Sequence, residues 1–213
     1  MTWLALDAAG AQAGIAVLAP DGTVPYKAFA PLRPGLIETL PGLLAQAVAG
    51  RSVTHIAVGV GPGSFTGLRT ALALAQGFAA SSGAALWGVP AYWALAQALP
   101  SLQRPLWGVL RARRGRMYLL REDAAESFPD EALPLPPGPV ALAGDAAAEA
   151  AAYLAARGGD ILLTNIRGID PVWVGRAAQA RWRDGAAPLP ALPLYVDPPE
   201  AKLPAAGLRP PPA

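Results

Sequence analysis

The sequence predicts an α/β protein built from two consecutive halves. Of its 213 residues, 53% are hydrophobic and 15% are charged, so the chain can bury a large core and general disorder is excluded. Short apolar runs bounded by glycine and proline alternate with longer runs of helical spacing. This pattern starts again after about residue 100, which indicates two halves of comparable size.

The first half predicts the element order β-β-β-α-β-α-β-α. Three short runs, "TWLALDA", "AGIAVLA" and "TVPYKAFA", predict a meander, with a Pro-Asp-Gly turn before the third. Residues 35–50 then have helical spacing, with Pro41 inside the pattern. "THIAVGVG" predicts a buried strand that leads through a glycine-rich loop into a helix. "AALWGV" and "PAYWALAQAL" predict a further strand and helix.

The second half predicts a hairpin followed by alternating strands and helices. "RPLWGVLRA" and "GRMYLLRED" predict two strands that turn near Arg114-Gly115, and the proline-rich residues 128–139 predict a loop. A strand at "PVALAGD", a helix capped by Asp145 and closed by Gly158, a strand at "DILLTN" and a last helix at 171–185 follow. We therefore expect an N-terminal subdomain at 1–102, a C-terminal subdomain at 103–190 and a Pro/Ala-rich, extended tail at 191–213.

Composition excludes several classes of function. There is no cysteine, which excludes disulfides, thiolate metal sites and cysteine nucleophiles. The single histidine, His55, cannot supply a paired-histidine zinc motif, and we expect it to flank a strand. A net charge of +2 is too small for a dedicated nucleic-acid binder. No apolar run is long enough for a membrane span and no signal peptide is evident, so we expect a soluble, cytoplasmic protein.

The stretch "GVGPGSFTGLRTALALAQGFA", from Gly59 to Ala79, joins a predicted strand to a predicted helix. This is the context of phosphate sites, but the Walker A lysine is missing and Thr66 stands where a dinucleotide fingerprint needs its third glycine. Ser64 or Thr66 is expected to cap the helix. Arg69 is the only charged residue from Leu68 to Ala80, so the helix is either internal or covered on a second face by another helix of this chain or of a partner.

At this stretch the sequence resembles a known family. "GPGSFTGLR" followed by an apolar helix is similar to the signature of the bacterial TsaB (YeaZ) family. "LALDAA", "LPGLLAQAV", "GVPAYWALAQA", "RARRGRMYLL" and "PLYVDPPEAK" resemble further segments of that family, in the same order. The resemblance implies an actin/Hsp70-like (ASKHA) α/β fold with two related βββαβα-type subdomains.

The resemblance also implies a function. TsaB proteins are noncatalytic partners of TsaD, which transfers a threonylcarbamoyl group to adenosine 37 of tRNA, and the ATPase TsaE completes the machinery. It implies a homodimer when the chain is alone, contact with tRNA through the complex, no intrinsic cofactor and no metal, and it leaves open ATP or ADP at the partner interface. The expected interface consists of Leu36, Leu40, Leu43, Leu44, Leu68, Leu72, Ala75 and Phe78. The expected loop and nucleotide contacts are Asp7, Gly61, Pro62, Gly63, Ser64, Phe65, Thr66, Gly67 and Arg69.

Some residues depart from the family pattern. Ala8 follows Asp7 where the family usually has threonine, so the loop after the first predicted strand, Ala8-Ala9-Gly10, has no hydroxyl. Arg111 stands where the family usually has aspartate. These departures argue against nucleotide hydrolysis, and no catalytic residue is expected. Two alternatives remain: an ATP-dependent or glycoprotease-like enzyme on the same fold, and a plain homodimeric scaffold. The arginines at 111–116 form either a solvated hairpin end or a contact with tRNA phosphate.

Overall fold

The computed structural model describes residues 1–31, 36–113, 115–122 and 124–197, which form two five-stranded mixed sheets with five helices. The strands of the first sheet are β1 (Trp3–Asp7), β2 (Gln12–Leu18), β3 (Tyr26–Pro31), β4 (His55–Gly61) and β5 (Ala85–Pro90). Its helices are α1 (Leu36–Val48), α2 (Phe65–Ser82) and α3 (Ala91–Gln97). The strand order is β3-β2-β1-β4-β5, with antiparallel pairing through β3, β2 and β1 and parallel pairing through β1, β4 and β5.

The second sheet repeats this topology. Its strands are β6 (Leu106–Arg111), β7 (Arg116–Arg121), β8 (Ala124–Pro129), β9 (Val140–Ala143) and β10 (Ile161–Leu163). Its order, β10-β9-β6-β7-β8, places β6 where the first sheet has β1, with the same mixture of parallel and antiparallel pairs. The remaining helices are α4 (Ala147–Ala156) and α5 (Pro171–Arg183). Two copies of one topology are what an actin/Hsp70-like fold requires.

Helices cover both faces of the first sheet. Every residue of β1 and of β4 is buried, which explains why both strands are almost continuously apolar. On one face, α1 and α2 pack Leu40, Leu68 and Ala75 against the sheet. On the other face, α5 packs with Trp3, Trp87 and Val174 in a separate cluster.

Helix α5 follows the second sheet in the chain but packs on the first. It contacts β1, β2, β4 and β5 as well as α3, and Gly175 lies so close to Leu18 and Ala5 that a side chain there would collide with them. The expected boundary at residue 102 falls between α3 and β6. The expected range 103–190 therefore contains a helix that completes the core of the first half.

Most predicted elements lie where they were expected, and the hairpin of β6 and β7 has Gly115 in its turn at a φ of 71°. Strand β8 was missed, and the predicted loop at 128–139 is wrong in its first two residues. The sequence of β8, "AAESFP", is only partly buried at the edge of the sheet and has no apolar alternation. Arg114, predicted in the same turn as Gly115, lies outside the described residues.

The predicted cap of α4 is also wrong. The N-cap position is Ala146, which makes no side-chain capping hydrogen bond. The carboxylate of Asp145 instead accepts a hydrogen bond from the backbone N–H of Arg111, at 2.7 Å, because β6 ends beside this loop. The cap of α2 is the expected Ser64, whose side chain accepts from the Gly67 N–H at 3.3 Å.

The described part of the tail lies along the first half in an extended conformation. The Gly88 N–H donates to the Leu189 carbonyl at 2.9 Å, and the Leu194 N–H donates to the Val60 carbonyl at 2.8 Å. Ala191 is buried in the same core cluster as α1 and α2. Residues 198–213 of the predicted tail lie outside the described residues. None of the helices in the described residues is both long enough and apolar enough to cross a membrane.

Substitution by arginine should change the stability of the fold very differently at two alanines of α2 that are two positions apart. Ala75 is fully buried, so Ala75→Arg would force a guanidinium into the core and should lower the free energy of unfolding by more than ~3 kcal/mol. Ala73 is exposed, and Ala73→Arg should change it by less than about 0.5 kcal/mol. Urea denaturation measures both, and equal midpoints would contradict the assigned orientation of α2.

Candidate functional site

A cleft lies between the two halves, where β1 and β6 both end. It encloses a cavity of about 290 Å³. The first half lines it with Asp7, Ala9, Gly10, Ala11, Gln12 and Gly63, and the second half lines it with Leu110, Arg111, Asp145, Arg167, Gly168 and Ile169. Two of the residues predicted for the loop and nucleotide site, Asp7 and Gly63, therefore reach the cleft.

Asp7 is a buried carboxyl at the wall of this cleft. It is 3% exposed, and its Oδ2 accepts a hydrogen bond from the Ala9 N–H at 3.1 Å. A Cβ on Gly59 would overlap the other oxygen, so β4 passes directly behind the side chain. Burial raises the pKa of Asp7 to about 7, although the Ala9 N–H acts to lower it. Below neutral pH this side chain is therefore a neutral acid.

The glycine loop, residues 61–64, which connect β4 to α2, packs its backbone against the backbone of the loop that follows β1. A Cβ on Gly63 would collide with the Ala9 carbonyl group, and the Ser64 N–H donates to that same carbonyl oxygen at 2.8 Å. Gly61 has a φ of 93°, a conformation that favours glycine. These glycines serve the close approach of two loops, and Pro62 lies between them in the buried turn.

The other residues predicted for the loop and nucleotide site have separate places. Gly67 is buried beneath the first turn of α2, where its N–H bonds to Ser64. Phe65 and Thr66 are exposed, and the Thr66 carbonyl accepts from the Thr70 hydroxyl at 2.9 Å. Arg69 is exposed on the outer side of α2, away from the residues that line the cleft. The predicted loop residues thus divide between the cleft and the outer surface.

On the second half, the arginines near the cleft are bound to groups of this chain. Arg111 forms an ion pair with Asp130 at 2.9 Å and a second with Glu149. Arg116 donates to the Ser127 hydroxyl at 2.9 Å and lies 3.9 Å from a carboxylate oxygen of Asp197. Carboxylates thus neutralise part of this basic patch, and its contact with tRNA stays a prediction.

The predicted interface residues do not form one surface. The structure buries five of them in the core beneath α1 and α2: Leu40, Leu44, Leu68, Leu72 and Ala75. Leu43 and Phe78 are partly buried against that core, and the side chain of Leu36 lies outside the described residues. These helices instead expose Pro41, Gly42, Ala45 and Gln46 on α1 and Ala73, Gln76, Gly77 and Ala80 on α2. Whether a partner covers this exposed face stays a prediction.

The sequence interpretation missed the tail as part of the outer surface of α2. The Tyr195 hydroxyl accepts a hydrogen bond from the Arg69 Nε at 3.2 Å, and the two aromatic rings of Phe65 and Tyr195 lie 6.0 Å apart. The Arg69 guanidinium lies 3.8 Å from the centroid of the Phe65 ring. The only signal was the likeness of "PLYVDPPEAK" to a C-terminal strand of the family, which did not say where that segment packs.

His55 lies at the start of β4, whereas the glycine loop follows its end. Its ring stacks on Trp3 with centroids 4.5 Å apart and meets the edge of Trp182 at 5.9 Å. Burial lowers the pKa of this imidazole, which favours its neutral form. His55 is thus the first, buried residue of β4 and packs among aromatic rings, whereas from the sequence we expected it to flank a strand. Within the described ranges, no three His, Asp or Glu side chains are grouped so that they could hold a metal ion.

The ionisation of Asp7 should make stability depend on pH. Because the pKa of Asp7 is about 7 in the folded chain and 3.8 is its ordinary value, its contribution to stability is complete only below about pH 4 and is lost progressively as the pH rises from there to 7. Asp7→Asn removes this ionisation and should raise the free energy of unfolding at pH 8, by on the order of 4 kcal/mol, relative to its effect at pH 4. Thermal or urea unfolding at several pH values measures this.

A matched control is Asp21→Asn, because the hydroxyl and N–H of Thr23 lower the pKa of Asp21. This variant should show no gain of stability at pH 8. If Asp7→Asn changed stability by the same amount at every pH between 4 and 8, the buried, neutral state of Asp7 would be contradicted.

Comparisons with known proteins give the family through a family model and the fold through solved structures. A family model described as "TsaD: tRNA N6-adenosine threonylcarbamoyltransferase" matches residues 15–154. A solved structure of YeaZ from Pseudomonas aeruginosa superposes with a TM-score of 0.71 at 22% identity, covering 91% of this chain and 99% of that one. A second structure from that organism, of an uncharacterized protein with similarity to peptidase YeaZ, gives a TM-score of 0.69 at 22% identity, covering 92% and 99%. Curated protein sequences give no significant match. The family model spans more than half of the chain, so the protein belongs to the TsaD family, and it has the two-subdomain, actin-like fold of the YeaZ (TsaB) proteins.

Proposed function

We propose that the chain is a cytoplasmic, noncatalytic partner subunit of TsaD in the threonylcarbamoylation of tRNA adenosine 37, a pathway that TsaE completes. The observation that carries this proposal is the state of the cleft. The loop after β1 offers Ala8, Ala9 and Gly10, none of which has a hydroxyl for a phosphate or a metal. Asp7 is buried, and one of its oxygens is bound to the Ala9 N–H.

The position of His55 supports the same proposal. By its resemblance to the family, the transferase itself uses an HxxxH metal motif, which needs two histidines. This sequence has one histidine, and it is packed between the rings of Trp3 and Trp182. It lies at the opposite end of β4 from the cleft. The residues of this chain are therefore better suited to supporting a catalytic partner than to replacing it.

The outer face of α1 and α2 supports a role in binding a partner. Arg69 is the only charged residue of α2, and α1 contains one, Glu38, whose side chain lies outside the described residues. The exposed positions on this face are mostly small, such as Gly42, Ala73 and Gly77, and nothing lies within 4 Å of a Cβ built on either glycine. Small, uncharged side chains let another helix approach closely, and contiguous faces of this kind mark binding surfaces. We propose that this face binds TsaD, and a second copy of the chain when TsaD is absent.

The proposal predicts that a bulky charge on the outer face of α2 prevents binding of TsaD. Ala73→Arg places a guanidinium on that face and should weaken binding by at least about tenfold, since an unpaired charge must then be buried. Ala152→Arg is the matched control, because Ala152 is an exposed alanine on α4 of the other half. Titration calorimetry with TsaD from the same organism measures both affinities.

The same pair of variants tests self-association by sedimentation. Ala73→Arg should give a monomer where the wild type and Ala152→Arg give a dimer. Binding of TsaD by Ala73→Arg with wild-type affinity would show that the partner uses another surface. A wild-type chain that binds neither TsaD nor itself would overturn the proposed function.

The purified chain should not turn over ATP or modify tRNA by itself. The reason is the lack of hydroxyls in the first loop and the engagement of Asp7 with Ala9. ATP hydrolysis by the wild type should therefore equal that of Asp7→Asn, and tRNA modification should appear only when TsaD and the other components are added. Robust hydrolysis that Asp7→Asn abolishes would favour the alternative, an ATP-dependent enzyme that uses the cleft.

A further inference from the structure

Arg69 is held in a fixed position by two aromatic side chains. Its guanidinium stacks over the Phe65 ring at 3.8 Å from the centroid, one turn earlier on α2. Its Nε donates a hydrogen bond to the Tyr195 hydroxyl at 3.2 Å. Stacking on one side and a hydrogen bond at Nε limit the rotamers that this long side chain can adopt, which lowers the entropy cost of a further contact.

Tyr195 is itself positioned by the backbone of the tail. The preceding residue, Leu194, donates its N–H to the Val60 carbonyl of β4 at 2.8 Å. Four residues before Tyr195, the Ala191 carbonyl accepts from the Gln76 side chain at 2.8 Å, and Ala191 is buried. The tail is thus attached to both β4 and α2, and it presents the Tyr195 hydroxyl at a defined place beside the N-terminal part of α2.

No group of the described residues binds the two terminal nitrogens of Arg69. Within the described residues, Arg69 has the contacts with Phe65 and Tyr195 and forms no ion pair. Some other arginines in the described chain have carboxylate partners, namely Arg104, Arg111, Arg116 and Arg121, whereas Arg51 and Arg157 donate to backbone carbonyls instead. With Nε occupied, the remaining N–H groups still form a fork that can bind both oxygens of a carboxylate.

The location of Arg69 makes an uncompensated charge mildly unfavourable, and only mildly because the site is exposed to solvent. It lies near the N-terminus of α2, where the helix dipole opposes a cation, and the first turn contains no acidic residue. An anion bound at the guanidinium would remove this penalty. None of the described residues supplies such an anion, so the position suits an anionic group brought by another molecule.

The surroundings of Arg69 fit a protein surface. Phe65 is 55% exposed and Tyr195 is 53% exposed, and the neighbouring tail adds the exposed side chains of Leu192 and Leu194. Arg69 is not among the residues that line the cleft cavity. Aromatic residues around an arginine form the composition that dominates binding energy in protein interfaces.

We propose that Arg69, Phe65 and Tyr195 form a preorganised docking point for a carboxylate of a protein partner, and that tail residues 192–195 are part of the partner surface. The proposal rests on the proposed function only in naming TsaD as that partner. Arg69 is the residue that touches the carboxylate. Phe65 and Tyr195 are positioning residues that hold its guanidinium.

The test compares the affinity of TsaD for four variants of the full chain. Arg69→Ala should weaken binding about tenfold or more, and Arg69→Lys should recover only a small part of the loss because a lysine cannot form the fork. Tyr195→Phe keeps the ring and removes the hydroxyl, so it should weaken binding by about threefold. The matched control is Arg181→Ala on α5, because Arg181 stacks over Trp93 at 4.0 Å in the same manner but on the other face of the sheet.

The positioning role of Tyr195 is tested by the salt dependence of TsaD affinity. The difference in affinity between wild type and Arg69→Ala should shrink as salt is raised from 50 to 500 mM, since charge attraction is screened. Tyr195→Phe should show a weaker salt dependence than wild type if its hydroxyl serves to aim the guanidinium. Thermal unfolding of each variant establishes that the fold is retained, as all three side chains are exposed.

Each result has a distinct consequence. Wild-type binding with no loss in Arg69→Ala would overturn this inference and leave the proposed function standing. A loss that appears only when ATP or ADP is present would identify a phosphate as the anion and would overturn the assignment to a protein carboxylate. No binding by the wild type would overturn the proposed function and, with it, the partner named here.

Discussion

The structure depends on the close backbone approach between the glycine loop and the loop after β1. Ser64 donates its N–H to the Ala9 carbonyl oxygen, and Gly63 leaves no room for a side chain against that same carbonyl group. Four residues before Gly63, in β4, Gly59 has no side chain and so leaves the space that the carboxyl of Asp7 occupies. This contact fixes where β4 ends and where α2 begins. It thereby sets the direction of the whole helix and the face that it presents to solvent.

The same contact changes what the cleft can do. With the Ala9 N–H bound to Asp7 and the Ala9 carbonyl bound to Ser64, both backbone groups of Ala9 are used within the chain. A phosphate at this point would need free N–H groups or hydroxyls, and neighbouring Ala8 supplies no hydroxyl. Internal hydrogen bonds thus replace those that a ligand would make. The features that could bind another molecule are instead concentrated on the outer face of α2.

The sequence predicted the order of elements well because periodicity and turn residues are local signals. It could not predict arrangements that depend on distant parts of the chain. Strand β8 is an edge strand whose partner, β7, decides its conformation, and α5 packs on the sheet of the other half. The expected interface residues were apolar, and the core buried most of them because the strongest apolar side of a helix faces its own sheet. Tyr195 and Arg69 are in contact although 126 positions separate them in the sequence, and no local pattern could indicate such a contact.

The repeated topology of the two halves makes their difference in charge informative. Arg111, at the end of β6, and Asp7, at the end of β1, occupy matching places in the two sheets. The chain compensates both: Arg111 by two carboxylates, and Asp7 by burial that keeps it neutral below about pH 7. On the face of α1 and α2, by contrast, Arg69 has aromatic support and no carboxylate within the described chain. A fold that pairs Arg111 at its cleft and leaves an oriented arginine among the small exposed residues of α2 is organised to bind through that helix.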